Sequence, residues 1–247
     1  MTLKGFCANN EAPALVNALA PDIVRISWGA WLANLNNLYG ATKFLIDLSD
    51  IDAAFPLNAT NYAAVAAHPS FGGLFLLGNE PDLTMPPAQY WDESKPLVDA
   101  IANWDASAKF IGAGGTHVNP IYAPNSWHKQ WWDILGYSYR KKFAGFHVHW
   151  YNNPMVGLSD YLPECDEYRA EMFPNKKLWL TEVGRKLDSP NLRITPAYVN
   201  AKCAANNFEG WTWYAEQAIP NTNAALYNCL VDAWGGWTVD GVNFLSV

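Results

Sequence analysis

Two glutamates stand where runs of apolar residues end. Gly73-Leu74-Phe75-Leu76-Leu77 is followed by Gly78-Asn79-Glu80-Pro81-Asp82, and Leu178-Trp179-Leu180-Thr181 is followed by Glu182. A protonated carboxyl can assist a departing oxygen and an ionised carboxylate can attack an electrophilic carbon; hydrolysis of a glycosidic bond uses both, flanking one bond. Taken singly, either Glu could be a solvated loop residue or a partner at a helix start. As a pair after two apolar strands, beside groups able to bind hydroxyls, Glu80 and Glu182 read as functional carboxylates, one to be loaded with a proton and the other ionised.

Other residue types gather around that chemistry. His147, His149 and Tyr151 share one face of a strand by its period of two, with Val148 and Trp150 on the other. His149 and Tyr151 are expected to face the substrate, and His147 to be a hydrogen-bonded interior histidine. A zinc pair made of His147 and His149 is a sharper rival, but no further His stands at a neighbouring strand end to complete it. Arg25 could hold the carboxylate of Glu182 ionised, or could form a surface ion pair. Trp28, Trp31 and Trp91 follow strand ends, where a ring is more often core than sugar platform; Trp28 is retained as a candidate contact. Trp131 and Trp132 fall inside a helical stretch, so one of them should face the sheet.

These residues need a frame that brings distant strand ends together. Short segments rich in β-branched and aromatic residues recur at Lys4–Ala8, Asp22–Ser27, Lys43–Leu48, Gly72–Gly78, Lys109–Ala113, Ala144–Trp150, Lys177–Glu182 and Glu209–Tyr214. Helical patterns occupy Ala12–Ala20, Thr60–His68, Pro86–Trp104, Ser126–Lys142, Asp160–Met172 and Pro196–Asn206, and the stretch from Trp28 to Tyr39 has no clear pattern. Eight such βα units either close as a barrel or spread as an open sheet. No GxGxxG loop follows the first strand, so the expectation is a single-domain (β/α)8 TIM barrel over residues 1–247, its reactive groups at the C-terminal ends of the strands.

Composition narrows the partners. A formal charge of −7 and a pI near 5.1, with no basic cluster, disfavour nucleic acid. No run of 18 apolar residues suggests a membrane span, and the first ten residues lack the basic start and apolar stretch of a signal peptide. Thirteen Trp in a chain that is 15% aromatic supply flat rings beyond ordinary core needs, which carbohydrate sites use as cores do, and neutral polymers remain suitable substrates. Cys7, Cys165, Cys203 and Cys229 are widely spaced with no CxxC pair, which favours structural roles and permits disulfides. Together with the acceptor pattern Asn58-Ala59-Thr60, this leans towards a secreted protein.

Gly78-Asn79-Glu80-Pro81 and Thr181-Glu182 resemble the signature of clan A glycoside hydrolases. Leu77-Gly78-Asn79-Glu80-Pro81-Asp82, His149-Trp150-Tyr151 and Trp179-Leu180-Thr181-Glu182 are most similar to glycoside hydrolase family 128, the group with the Asl1-like catalytic core. Lys4-Gly5-Phe6-Cys7-Ala8 and Phe44-Leu45-Ile46-Asp47-Leu48 differ from the first and third strands of many members. The resemblance implies retaining endo-β-1,3-glucanase activity, with Glu80 as acid/base and Glu182 as nucleophile. It further implies that Asn79 bonds the hydroxyl beside the anomeric carbon and that Trp213 is the aromatic platform. The expected partner is a β-linked polysaccharide or oligosaccharide, bound by a monomer without metal or organic cofactor. Alternatives are a clan A hydrolase of β-1,4-glucan, mannan, xylan or galactan, a binding barrel without turnover, and a metal-dependent hydrolase using His147 and His149.

Overall fold

The computed structural model describes residues 2–7, 13–49, 51–115, 126–152, 162–185 and 195–214. Along the chain the elements are β1 (Leu3–Cys7), α1 (Pro13–Leu19), β2 (Ile23–Ser27), α2 (Trp28–Ala33), β3 (Lys43–Asp47), α3 (Ala59–Ala66), β4 (Phe71–Leu76), α4 (Pro81–Thr84) and α5 (Pro87–Trp104). There follow β5 (Lys109–Gly115), α6 (Trp127–Ile134), α7 (Tyr137–Arg140), β6 (Phe143–Asn152), α8 (Leu162–Met172), β7 (Lys177–Arg185), α9 (Pro196–Ala205) and β8 (Phe208–Trp213). The strands pair in parallel in chain order, and β8 returns to β1 to close an eight-stranded barrel, as the βα alternation leads one to expect.

Capping residues start several helices where a strand end must turn back. Ser27 ends β2 and its hydroxyl accepts the Ala30 N–H, so α2 begins at once in the stretch where sequence showed no pattern. Asn58, Ser126 and Thr195 cap α3, α6 and α9 in the same way. The single helix expected over Ser126–Lys142 is instead two, because Leu135 leaves the helical region and Gly136 starts α7.

Two apolar layers hold the barrel. The larger lies between sheet and helices, where Trp131 packs so closely on Gly112 that a Cβ there would meet its ring at 2.1 Å. The smaller cluster, Ile23, Leu45, Leu76, Ile111 and Trp179, fills the inside. One step of two residues further along the strands, the inward positions turn polar: Arg25 follows Ile23, Asp47 follows Leu45, and Thr181 follows Trp179. All three are buried. Among the described residues no helix is long and apolar enough to cross a membrane.

Candidate active site

Above the apolar plug the polar side chains form one connected group. Arg25 is 7% exposed and reaches β3, β7 and the turn after β4. Its Nε and Nη2 donate to Asp47 Oδ2 at 3.1 and 2.6 Å, Nη2 also donates to Asn79 Oδ1 at 2.7 Å, and Nη1 donates to Glu182 Oε1. The expectation that Arg25 pairs with Glu182 holds, and the surface alternative does not. Burial works against the guanidinium charge, but Asp47 and Glu182 outweigh it and hold Arg25 protonated well above its ordinary range.

Glu182 reaches this group through an irregularity in β7. Leu178, Leu180 and Val183 belong to the outer core and Trp179 to the inner one. Strict alternation would turn residue 182 outward. Instead the register slips on both sides: Val148 pairs with Leu180 but His149 with Glu182, and Leu180 pairs with Trp211 but Val183 with Trp213. The extra residue lets both Thr181 and Glu182 point inward. The Thr181 carbonyl at this slip accepts from Thr212 Oγ1, from Cys7 Sγ at 3.2 Å and from Arg25 Nη1 at 3.4 Å. Those bonds pin the peptide that carries Glu182.

Glu80 is placed by backbone strain. The expected fourth strand through Gly78 stops at Leu76; Gly78 turns at φ +87°, and Glu80 sits at φ 46°, ψ 47° as the residue before α4. That left-handed conformation is disfavoured by its own Cβ and by the following Pro81. Its side chain makes no capping bond. Its Oε1 instead lies 2.7 Å from His149 Nδ1, which is 3.5 Å from Glu182 Oε2. One oxygen of Glu80 and one of Glu182 lie within 4.8 Å. Retaining pairs stand about 5–5.5 Å apart and inverting pairs about 6.5–9.5 Å, to admit a water; oxygens this close are consistent with the first.

The remaining expected residues divide. Asn79 is exposed with its Oδ1 on Arg25, leaving its NH2 group to donate outward. Beside it opens a cavity of about 420 Å³ lined by Leu48, Ser49, Met85 and Tyr90 among others. Tyr151 pairs with Gly184 in the β6–β7 ladder, and its side chain lies outside the described residues. Trp28 and Trp213, expected to contact sugar, are corrected to core: both are 0% exposed. The Trp28 indole N–H donates to the Phe55 carbonyl, and Trp213 pairs with Phe6 and Val183 on the outer face, since inward Thr212 precedes it. Trp31, Trp91, Trp131 and Trp132 are core as well. Cys7, Cys165 and Cys203 are buried, and Cys229 lies outside the described residues. Sequence reading missed Asp47, whose signal was a charge at an inward position of an apolar strand.

His147 is fully buried with Nδ1 2.6 Å from Thr181 Oγ1. Burial, then the charges of His149, Arg25 and His128, push it well below the ordinary histidine range, so it stays neutral. The unfolded chain, with an ordinary value near 6.5, binds a proton there that the folded protein refuses, so stability should fall as pH drops below about 6.5. The slope is at most about 1.4 kcal/mol per pH unit. In urea unfolding from pH 8 to 5, His147→Asn should lose less stability than the parent below pH 6.5 and match its pH dependence above 7. Parallel curves would refute this.

Glu80, His149 and Glu182 are also the described residues whose ligand atoms could surround a cation. Two of these ligand groups already have partners: Glu182 Oε1 accepts from Arg25 Nη1, and Glu80 Oε1 lies 2.7 Å from His149 Nδ1. The Nδ1 atoms of His147 and His149 are committed to different partners, Thr181 and Glu80.

No protein-family model matches the chain, and no curated protein matches it in sequence. In three dimensions it is similar to solved glycoside hydrolases. An endo-β-1,3-glucanase of glycoside hydrolase family 128, subgroup I, from Amycolatopsis mediterranei, in complex with laminaritriose, has a TM-score of 0.64 at 16% identity, over 100% of this chain and 99% of that one. An endo-β-1,4-glucanase from Xanthomonas axonopodis pv. citri has a TM-score of 0.63 at 14% identity, over 100% and 98%. The class this defines is the closed (β/α)8 barrel; at such identities the likeness carries the fold alone.

Proposed function

We propose that this protein is a retaining glycoside hydrolase acting on β-glucan, an endo-β-1,3-glucanase that cuts within β-1,3-glucan chains. The observation that carries the reading is the pair of carboxylates, Glu80 and Glu182, with oxygens within 4.8 Å at one mouth of the barrel. Glu182 attacks the anomeric carbon while the glycosidic C–O bond breaks, and Glu80 gives its proton to the departing oxygen. Water then attacks the glycosyl-enzyme, Glu80 takes its proton, and Glu182 leaves as the free carboxylate. His149 holds Glu80 in place through Nδ1, 2.7 Å from Oε1, as donor or acceptor according to its tautomer. Arg25 keeps Glu182 ionised for attack. Asn79 is oriented by Arg25 to donate to the hydroxyl beside the reacting carbon.

The choice of linkage is supported by the family 128 motifs in the sequence and by neighbours described as endo-β-1,3-glucanases in complex with laminari-oligosaccharides. The endo-β-1,4-glucanases among the similar structures make β-1,4-glucan the nearest alternative. Purified protein should release oligosaccharides from laminarin or curdlan at a rate about tenfold or more above that on carboxymethylcellulose, a difference of roughly 1.4 kcal/mol in the barrier. Chromatographic sizing of products from β-1,3-, β-1,4- and mixed-linkage glucans, mannan, xylan and galactan tests it. A preference for any of the others would overturn the linkage, and no release from all of them would overturn the hydrolase.

A further inference from the structure

Asp47 takes no part in the steps above, yet it is 4% exposed in the polar layer beneath them. Its Oδ2 accepts from both Nε and Nη2 of Arg25, at 3.1 and 2.6 Å, while its Oδ1 is fixed by the Ser49 N–H at 3.0 Å. A guanidinium is a rigid planar fork. Once Asp47 holds the Nε/Nη2 edge, the direction of the other bonds is set: Nη1 points to Glu182 Oε1 and the Thr181 carbonyl, and Nη2 to Asn79 Oδ1. Arg25 thus touches the nucleophile and the amide next to the acid/base, and its aim is set from behind by a carboxylate.

Charge leads the same way. Among the described residues, the titratable and charged groups around Arg25 and Glu182 include Cys7 on β1, Asp47 on β3, Glu80 after β4, and His147 and His149 on β6. Among the described residues, Asp47 is the carboxylate that offsets Arg25 from outside the Glu80–Glu182 pair. Without it, the full guanidinium charge would act on Glu182. That would hold the carboxylate ionised but weaken its attack, since a carboxylate bound more tightly in the ground state is the poorer nucleophile.

We propose that Asp47 is a positioning residue for the reaction, aiming the Arg25 guanidinium at Glu182 and Asn79 and offsetting part of its charge. The inference rests on the glycosidase reading, with Glu182 as nucleophile. Asp47→Asn keeps the shape and removes the charge. Its kcat on laminarin should fall about 10- to 100-fold with KM changed less than about threefold, the signature of a misplaced transition-state contact. The acidic limb of its kcat/KM profile should move to lower pH by about one unit, because the unbalanced Arg25 favours ionised Glu182. Asp47→Glu keeps the charge, so its acidic limb should stay at the parent position even where kcat drops. A purely structural residue would lower activity without moving the limb.

A control separates this from the parent reading. The unaltered enzyme is treated with 2,4-dinitrophenyl 2-deoxy-2-fluoro-β-laminaribioside and its peptides are analysed by mass spectrometry for an adduct on Glu182. No adduct there overturns the glycosidase reading and this inference with it. An adduct on Glu182 together with an unmoved acidic limb in Asp47→Asn overturns the role of Asp47 alone. Failure of both Asp47→Asn and Asp47→Glu to fold, judged by circular dichroism, also overturns it, because a residue that acts by charge and aim tolerates its isosteric amide.

Discussion

Glu182→Gly is expected to hydrolyse β-glucan on the order of 10⁴-fold or more slower than the parent, since no covalent intermediate can then form. Glu80 remains able to protonate a leaving group. Azide added to the variant can occupy the space left by the carboxylate and attack an activated β-glycoside directly. One displacement gives one inversion, so the product is an α-glycosyl azide. The anomer, read by NMR, checks the role. A β-azide from this variant would mean that Glu182 is not the nucleophile. Arg25 should stay in place, because Asp47 and Asn79 still hold it.

Glu80→Gly should show the complementary pattern. Hydrolysis of substrates with poor leaving groups should fall about 10²- to 10⁴-fold, while the glycosylation step on dinitrophenyl glycosides, which need no proton, changes far less. Azide then intercepts the intermediate on Glu182 and yields a β-glycosyl azide after two displacements. This variant carries a second, opposite expectation. Glu80 occupies a left-handed conformation at φ 46°, which costs a non-glycine residue about 1–3 kcal/mol and glycine much less. Thermal unfolding should therefore begin no lower in Glu80→Gly than in the parent, as activity is lost. Equal loss on good and poor leaving groups would refute the acid/base role, and a clear drop in melting temperature would refute the strain.

Strand positions were legible because period and composition report burial directly. All eight expected strands overlap observed ones, with ends shifted by a few residues. Helices were legible where a cap preceded an apolar pattern, and α2 was missed because six residues beginning Trp28-Gly29 are too few to show a period. Arg25 was recognisable as a site residue because a charge among Ile23, Val24 and Ile26 must find a partner. Asp47 in Phe44-Leu45-Ile46-Asp47 carried the same signal, and the two are partners. Trp213 misled because the platform that the resemblance implied was given more weight than its parity: counting by two from inward Thr212 turns it to the outer core.

What the amino-acid sequence determined by itself was the alternation of strands and helices and the presence of one carboxylate after β4 and another in β7, since these follow from local burial patterns and residue type. Tertiary structure decided which way those carboxylates face. By alternation alone Glu182 would share the outer face of β7 with Leu180, in the packed layer under the helices. It faces inward because the pairing of β7 slips by one residue against both β6 and β8, and because donors from β1, β2 and β8 converge on the Thr181 carbonyl to hold that slip. No local pattern encodes such a slip: it is stable only once three other strands have supplied the bonds that the irregular backbone needs.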